Sequence, residues 1–138
     1  MKRLILASHG RLAEGMADTA RMIVGDQTEL IPLSLVSGMQ PELLKTKVEG
    51  MIKSWPGELT VILTDLWGGS VNTALLPLCA DANVHLIAGM NLNLVLQLCL
   101  SDVETGGMTI ESILNEAQKS MVYGNAKLNE IPQEESWF

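Results

Sequence analysis

Aromatic side chains are scarce in this chain: one phenylalanine, one tyrosine and three tryptophans among 138 residues. That is a poor supply for a module that grips its ligand with aromatic loops. Cysteine is nearly absent. Cys79 and Cys99 stand in apolar helical patterns without CxxC spacing, so each reads as a buried thiol rather than as half of a disulfide or a metal ligand. With only His9 and His85 to add to them, no metal site is expected. Positive charge is also short. Nine lysines and arginines face sixteen acidic residues, a formal net charge of −7, which argues against nucleic acid or an anionic membrane surface as partner.

Long apolar runs are missing too. The stretch Leu92 to Leu100 is far too short to cross a bilayer and is interrupted by Asn93 and Gln97. After Met1-Lys2-Arg3 a short apolar run reaches Ser8 and His9 without the small-residue cleavage site of a secretory leader, so a cytoplasmic location is expected. Neither GxxxxGK[ST] nor GxGxxG occurs, which leaves nucleotide binding without a motif. There is no internal repeat and no low-complexity linker. What remains is 47% hydrophobic and 18% charged, the composition of a globular chain, and its length suits one domain over residues 1–138. The eight methionines read as core filler.

Short β-rich runs alternate with helical patterns. Leu4–Ala7 reads as a buried strand, followed by Leu12, Met16, Ala20 and Ile23 at helical spacing up to Gly25. Leu30–Leu33 reads as a second strand, and Pro32, which cannot donate a ladder hydrogen bond, assigns it to a sheet edge. Pro41 suits the first turn of a helix with Leu44, Val48, Met51 and Ile52 on one face. After the turn at Pro56-Gly57, Thr60–Thr64 is the clearest strand, and Ser70 is placed to cap a helix with Val71, Ala74, Leu75 and Leu78 inward. Val84–Ala88 is a fourth strand. Asn91 caps a helix through Leu100, and Thr109 opens a last helix with Ile110, Ile113, Leu114, Ala117 and Met121 inward and a stop near Gly124. The predicted fold is therefore α/β: a single three-layer domain with a central, mainly parallel four-stranded sheet. With strand 2 at the edge, the simplest order is 2-1-3-4, and the ligand crevice falls between the ends of strands 1 and 3.

His9 lies just past strand 1 and Asp65 just past strand 3, so topology alone brings them to that crevice. Taken singly, each is ambiguous: His9 reads equally as a loop histidine without a role, and Asp65 as a turn or capping aspartate. His85, inside a strand, reads as structural. Gly68-Gly69-Ser70 permits close backbone approach before a helix start, where an anion is favoured. The combination is more informative than its parts. An imidazole nucleophile, a carboxylate that fixes its tautomer and an anion seat formed by Gly10, Gly68, Gly69 and Ser70 are what reversible phosphorylation of a histidine requires.

Three stretches, Ile5-Leu6-Ala7-Ser8-His9-Gly10, Thr64-Asp65-Leu66-Trp67-Gly68-Gly69-Ser70 and Ala88-Gly89-Met90-Asn91-Leu92, appear in the order and spacing of a known family. Over essentially its whole length the chain resembles the IIA domain of the mannose-type (mannose/fructose/sorbose) family of the bacterial phosphoenolpyruvate-dependent sugar phosphotransferase system. The resemblance implies a phosphotransferase component without a cofactor. By it, His9 takes phosphate from the histidine phosphocarrier protein and passes it to a histidine of a IIB component, and the membrane components IIC and IID are met only indirectly. Asp65 would bond the other imidazole nitrogen, and Ser70 would lie near the phosphoryl group. A homodimer is implied, in which a short C-terminal strand, placed here within Ala126–Ile131, crosses to the other subunit. Val71 and Asn93 stand where the family commonly has proline, and neither position donates a catalytic group. Two other readings are the phosphoryl-donor subunit of a phosphotransferase-dependent dihydroxyacetone kinase and a flavodoxin-like ligand-binding module. The Trp-Gly-Gly-Ser stretch fits the sugar-transport family better than the first, and the scarcity of aromatics weighs against the second.

Overall fold

A computed structural model describes residues 2–26, 29–103 and 106–130. Four strands, β1 (Lys2–His9), β2 (Glu29–Leu35), β3 (Leu59–Thr64) and β4 (Val84–Ala88), form one sheet in the order β2-β1-β3-β4. Every pairing in it is parallel, with Leu4 opposite both Leu30 and Val61, and Thr64 opposite both Ala7 and Ala88. The expected order and the edge position of the proline-containing strand are both as the sequence indicates. Pro32 faces Leu6 across the β1–β2 ladder.

Successive side chains of a strand point to opposite faces, and the two central strands supply apolar residues to both. Leu4, Leu6, Val61 and Leu63 pack beneath α1 (Leu12–Val24), α4 (Leu92–Leu100) and α5 (Ile110–Gln118). Ile5, Ala7 and Ile62 pack on the other face against α2 (Pro41–Lys53) and α3 (Ser70–Leu75), through Leu44, Val48, Val71 and Leu75. This is why β1 and β3 show no polar alternation. Truncating a side chain as enclosed as Ile62 to alanine costs about 2–5 kcal/mol at such sites.

Several local expectations are corrected. On α1 the fully enclosed residues are Ala13, Ala17 and Ala20, while Leu12 stands half exposed and Met16 and Ile23 pack at the flank. Alanines at this spacing let the helix axis approach the sheet, and larger side chains are left for its margins. Gly69, not Ser70, is the N-cap of α3, and Ser70 is its first residue. α3 ends at Leu75 because Pro77 has no N–H to continue the ladder, and the chain tightens into a 3-10 turn over Leu76–Ala80 that carries Leu78. α5 ends at Gln118, short of Gly124, so Met121 is exposed rather than inward. The caps at Asn91 and Thr109 are as expected, accepting from the N–H of Leu94 and of Ser112 at 3.0 Å each. Residues Gly124–Glu130 wind as a 3-10 helix in this single chain, and Ile131, the end of the expected exchanged strand, lies outside the described residues. Neither cysteine forms a disulfide, and burial raises both thiols above their ordinary pKa.

Candidate functional site

His9 is the last residue of β1, opposite Leu35. It shares the parity of Ile5 and Ala7, so its side chain leaves the sheet on the α3 face. Ser8 has the opposite parity, and on the α1 face its buried hydroxyl accepts the N–H of Ala13 at 2.8 Å, tying the start of α1 to the end of β1. The neighbours β1 and β3 send their chains on to opposite sides of this point, which opens the crevice where His9 and Asp65 meet.

One oxygen of Asp65 holds the histidine twice. Oδ2 accepts the backbone N–H of His9 at 2.8 Å and lies 2.7 Å from ring Nδ1. An ionised carboxylate only accepts, so Nδ1 carries the proton, and in the neutral ring Nε2 then presents its lone pair. On that other side of the ring, the Ser70 hydroxyl stands 2.9 Å from Nε2 and, to the neutral ring, is the donor. The histidine side chain is 47% exposed and that of Asp65 only 12%. Burial pushes the Asp65 carboxyl up, yet the His9 backbone N–H, the ring hydrogen bond and electrostatic attraction to His9 outweigh it and hold the group below its ordinary value. Its second oxygen, Oδ1, is buried without a hydrogen-bond partner among the described residues.

The glycines serve mainly by shape. Gly68 sits at φ +81°, a left-handed conformation that turns the chain back towards His9. A Cβ at Gly69 would lie 3.3 Å from His9 Cε1 and 3.3 Å from the Leu66 carbonyl oxygen. The N–H groups of Gly10 and Gly69, expected as anion donors, are already committed to the carbonyls of Leu35 (2.9 Å) and Leu66 (3.1 Å). The Ser70 hydroxyl is the side-chain group that stands at Nε2. His85 is exposed on β4, away from this cluster. Among the described residues, no group of three His, Cys, Asp or Glu side chains is placed to hold a metal ion.

Sequence reasoning missed a contact behind the site. The hydroxyl of Thr64, the residue before Asp65, donates to Asn72 Oδ1 at 2.7 Å, with both residues buried. An asparagine in the buried first turn of α3, where an apolar residue is expected, was the available signal.

The family model EIIA-man, described as PTS system fructose IIA component, matches residues 3–118. Among curated proteins, the PTS system fructose-specific EIIA component of Bacillus subtilis (strain 168) is 28% identical over 100 residues, 71% of this chain and 68% of that protein. The PTS system mannose-specific EIIAB component of Escherichia coli (strain K12) is 27% identical over 100 residues, but these make up only 31% of its length. Among solved structures, the PTS IIA protein associated with the fucose utilization operon from Streptococcus pneumoniae superposes with a TM-score of 0.82 at 28% identity, over 93% of this chain and 96% of that one. The mannose/sorbose specific IIA subunit from Enterococcus faecalis gives 0.79 at 25% identity, over 99% of each chain. The chain belongs to the mannose-type IIA family of the phosphotransferase system, the components that carry phosphate in sugar uptake. Among the described residues, no helix is long and apolar enough to cross a membrane.

Proposed function

We propose that this chain accepts a phosphoryl group on Nε2 of His9 from the histidine phosphocarrier protein and passes it to a histidine of a IIB component. The observation that carries this reading is the unequal treatment of the two ring nitrogens: a carboxylate 2.7 Å from Nδ1 and a hydroxyl 2.9 Å from Nε2, on a half-exposed ring. The Nε2 lone pair attacks phosphorus as the bond from phosphorus to the donor's nitrogen breaks. The Nδ1 proton stays where it is, shared with Asp65, and the positive charge that develops on the ring is opposed by the carboxylate. The Ser70 hydroxyl turns from Nε2 to an oxygen of the arriving phosphoryl group. Transfer onward reverses these movements on a second protein, and no step needs a metal ion or a cofactor.

Carrier proteins must reach the ring, and the surroundings suit that. Leu12, Val36, Leu43, Leu66 and Trp67 are exposed on the loops and first helical turns at the carboxyl end of the sheet. Such an apolar collar around a small polar centre fits transient protein docking. The working unit in this reading is a single cytoplasmic domain, paired as a homodimer through the segment 126–131, that meets the membrane components only by way of the IIB component. The matched family and relatives are sugar phosphotransferase components, which favours this reading over a dihydroxyacetone kinase subunit or a flavodoxin-like module.

Incubation with phosphoenolpyruvate, enzyme I and the histidine phosphocarrier protein tests the reading. The expected product is an acid-labile, base-stable phosphohistidine at His9, absent from a folded His9→Ala variant. Phosphate on His85, or on no histidine, overturns the assignment.

A further inference from the structure

We infer that Thr64 and Asn72 are positioning residues for the reaction at His9, because the buried bond between them sets where Asp65 and Ser70 stand around the imidazole. The inference rests on the reading of His9 as the phosphoryl acceptor.

The two residues clamp the base of the segment that holds the site. Thr64 ends β3 and is wholly buried, Asn72 lies in α3 at 2% exposure, and 2.7 Å separates their oxygens. The residues between them begin with Asp65 and include Ser70, which hold Nδ1 and Nε2 of His9 respectively. Between those two contacts the segment has little to hold it. Leu66 and Trp67 are exposed, Gly68 and Gly69 follow, the turn is closed by a 3.1 Å bond from the Gly69 N–H to the Leu66 carbonyl, and only at its α3 end does the Gly69 carbonyl accept the Thr73 N–H, at 2.9 Å. The spacing of Asp65 from Ser70 must therefore be set at the ends. Thr64 is itself anchored a second time, since its carbonyl oxygen accepts the N–H groups of both Gly89 and Met90 at 2.9 Å. One residue thus ties the reactive loop to α3 through its side chain and to the β4–α4 loop through its backbone.

Stability alone does not explain a polar pair at this place. The surrounding core is Ile62, Val71 and Leu75, and two apolar side chains of similar volume would fill the space. A buried neutral hydrogen bond adds little net stability compared with such a pair, and asparagine is a weak helix former. What the bond adds is direction. It is made in one register of α3 against β3, while apolar contacts tolerate sliding. The hydrogen bonds at His9 are 2.7 to 2.9 Å long, so a slip of about 1 Å breaks them.

The test separates this role from packing by a double substitution. Thr64→Val alone strands the Asn72 amide. Thr64→Val combined with Asn72→Leu removes both polar groups and restores an apolar contact. Thr64→Ser keeps the donor. Three properties are measured on the full chain: thermal unfolding, the His9 ring 15N shifts across pH, and the initial rate of phosphorylation of His9 by the phosphorylated histidine phosphocarrier protein. The double variant is expected to unfold near the wild-type temperature, to lose the preference for the Nδ1–H tautomer and to accept phosphate roughly ten- to a hundredfold more slowly, the scale of loss that a 1 Å misplacement brings. Thr64→Ser is expected to keep both the tautomer and the rate. A double variant with the wild-type tautomer and a rate within about twofold overturns the inference. Should the double variant not fold, identical His9 tautomers in Thr64→Val and Thr64→Ser overturn it equally. If wild-type His9 takes no phosphate, the phosphoryl-acceptor reading fails, while the tautomer comparison still decides whether the pair positions the ring.

Discussion

Asp65 grips His9 with a single oxygen: Oδ2 takes the backbone N–H at 2.8 Å and the ring Nδ1–H at 2.7 Å. The same atom therefore fixes the height of the strand end, the rotation of the ring and the tautomer. In the proposed reaction, phosphorylation would add positive charge to that ring, and the carboxylate is already in place to oppose it.

Asp65→Asn keeps the shape and removes the charge, and its amide can offer a donor where Nδ1–H needs an acceptor. In a serine-protease triad such a change costs about four orders of magnitude, largely through the wrong tautomer. Attack on phosphorus by an imidazole requires no proton removal from a hydroxyl, so the expected loss is smaller, roughly two to three orders of magnitude. Rapid-quench measurement of His9 phosphorylation checks this. A variant within about threefold of wild type, a barrier change under ~1 kcal/mol, would reduce Asp65 to a turn residue.

Gly69→Ala tests the close approach. The added methyl lies 3.3 Å from His9 Cε1 and is backed by the Leu66 carbonyl at the same distance, while the backbone conformation, φ −70° and ψ 165°, suits any residue. The ring must give way, because the backbone carbonyl is the stiffer neighbour. The expected result is a stability loss of no more than about 1–2 kcal/mol, with phosphorylation slowed by about tenfold or more. Wild-type rates would show that the ring has room to spare.

The lowered pKa of Asp65 makes a signed statement about acid. Folding favours the ionised carboxyl, so its contribution to stability is complete above the unfolded value, near 3.8, and is lost as pH falls through the lower folded value. Asp65→Asn has no such contribution to lose. The difference in unfolding midpoint between wild type and Asp65→Asn should therefore shrink as pH drops below about 3.8 and stay constant above neutrality. A gap that widens in acid would contradict the stabilised carboxylate.

The end of the described chain bears on assembly. Val122, Tyr123 and Leu128 are exposed in the single chain, and β4 is a sheet edge without a strand on its outer side among the described residues. If the segment 126–131 crosses to a second subunit, the full chain sediments as a two-fold dimer, and a chain ending at Gly124 is monomeric or unfolded. A stable dimer of the shortened chain would place the interface elsewhere.

The sequence by itself determined the sheet. Apolar runs without alternation in β1 and β3 demanded cover on both faces, Pro32 demanded an edge, and these two demands leave β2-β1-β3-β4 as the simplest order. It also determined that His9 and Asp65 would meet, since the ends of neighbouring parallel strands lie side by side. Tertiary structure decided what local pattern does not encode. The start of α3 is set by the clash-free turn at Gly68-Gly69, so Ser70 gives its hydroxyl to His9 instead of to a helix cap. Its bond to Nε2 depends on strand parity and helix docking together. The Thr64–Asn72 bond joins a strand face to a helix face across eight residues, and no periodicity reports it. α1 turns its alanines rather than its leucine inward because the distance between helix and sheet, a property of the packed layers, selects the small side chains.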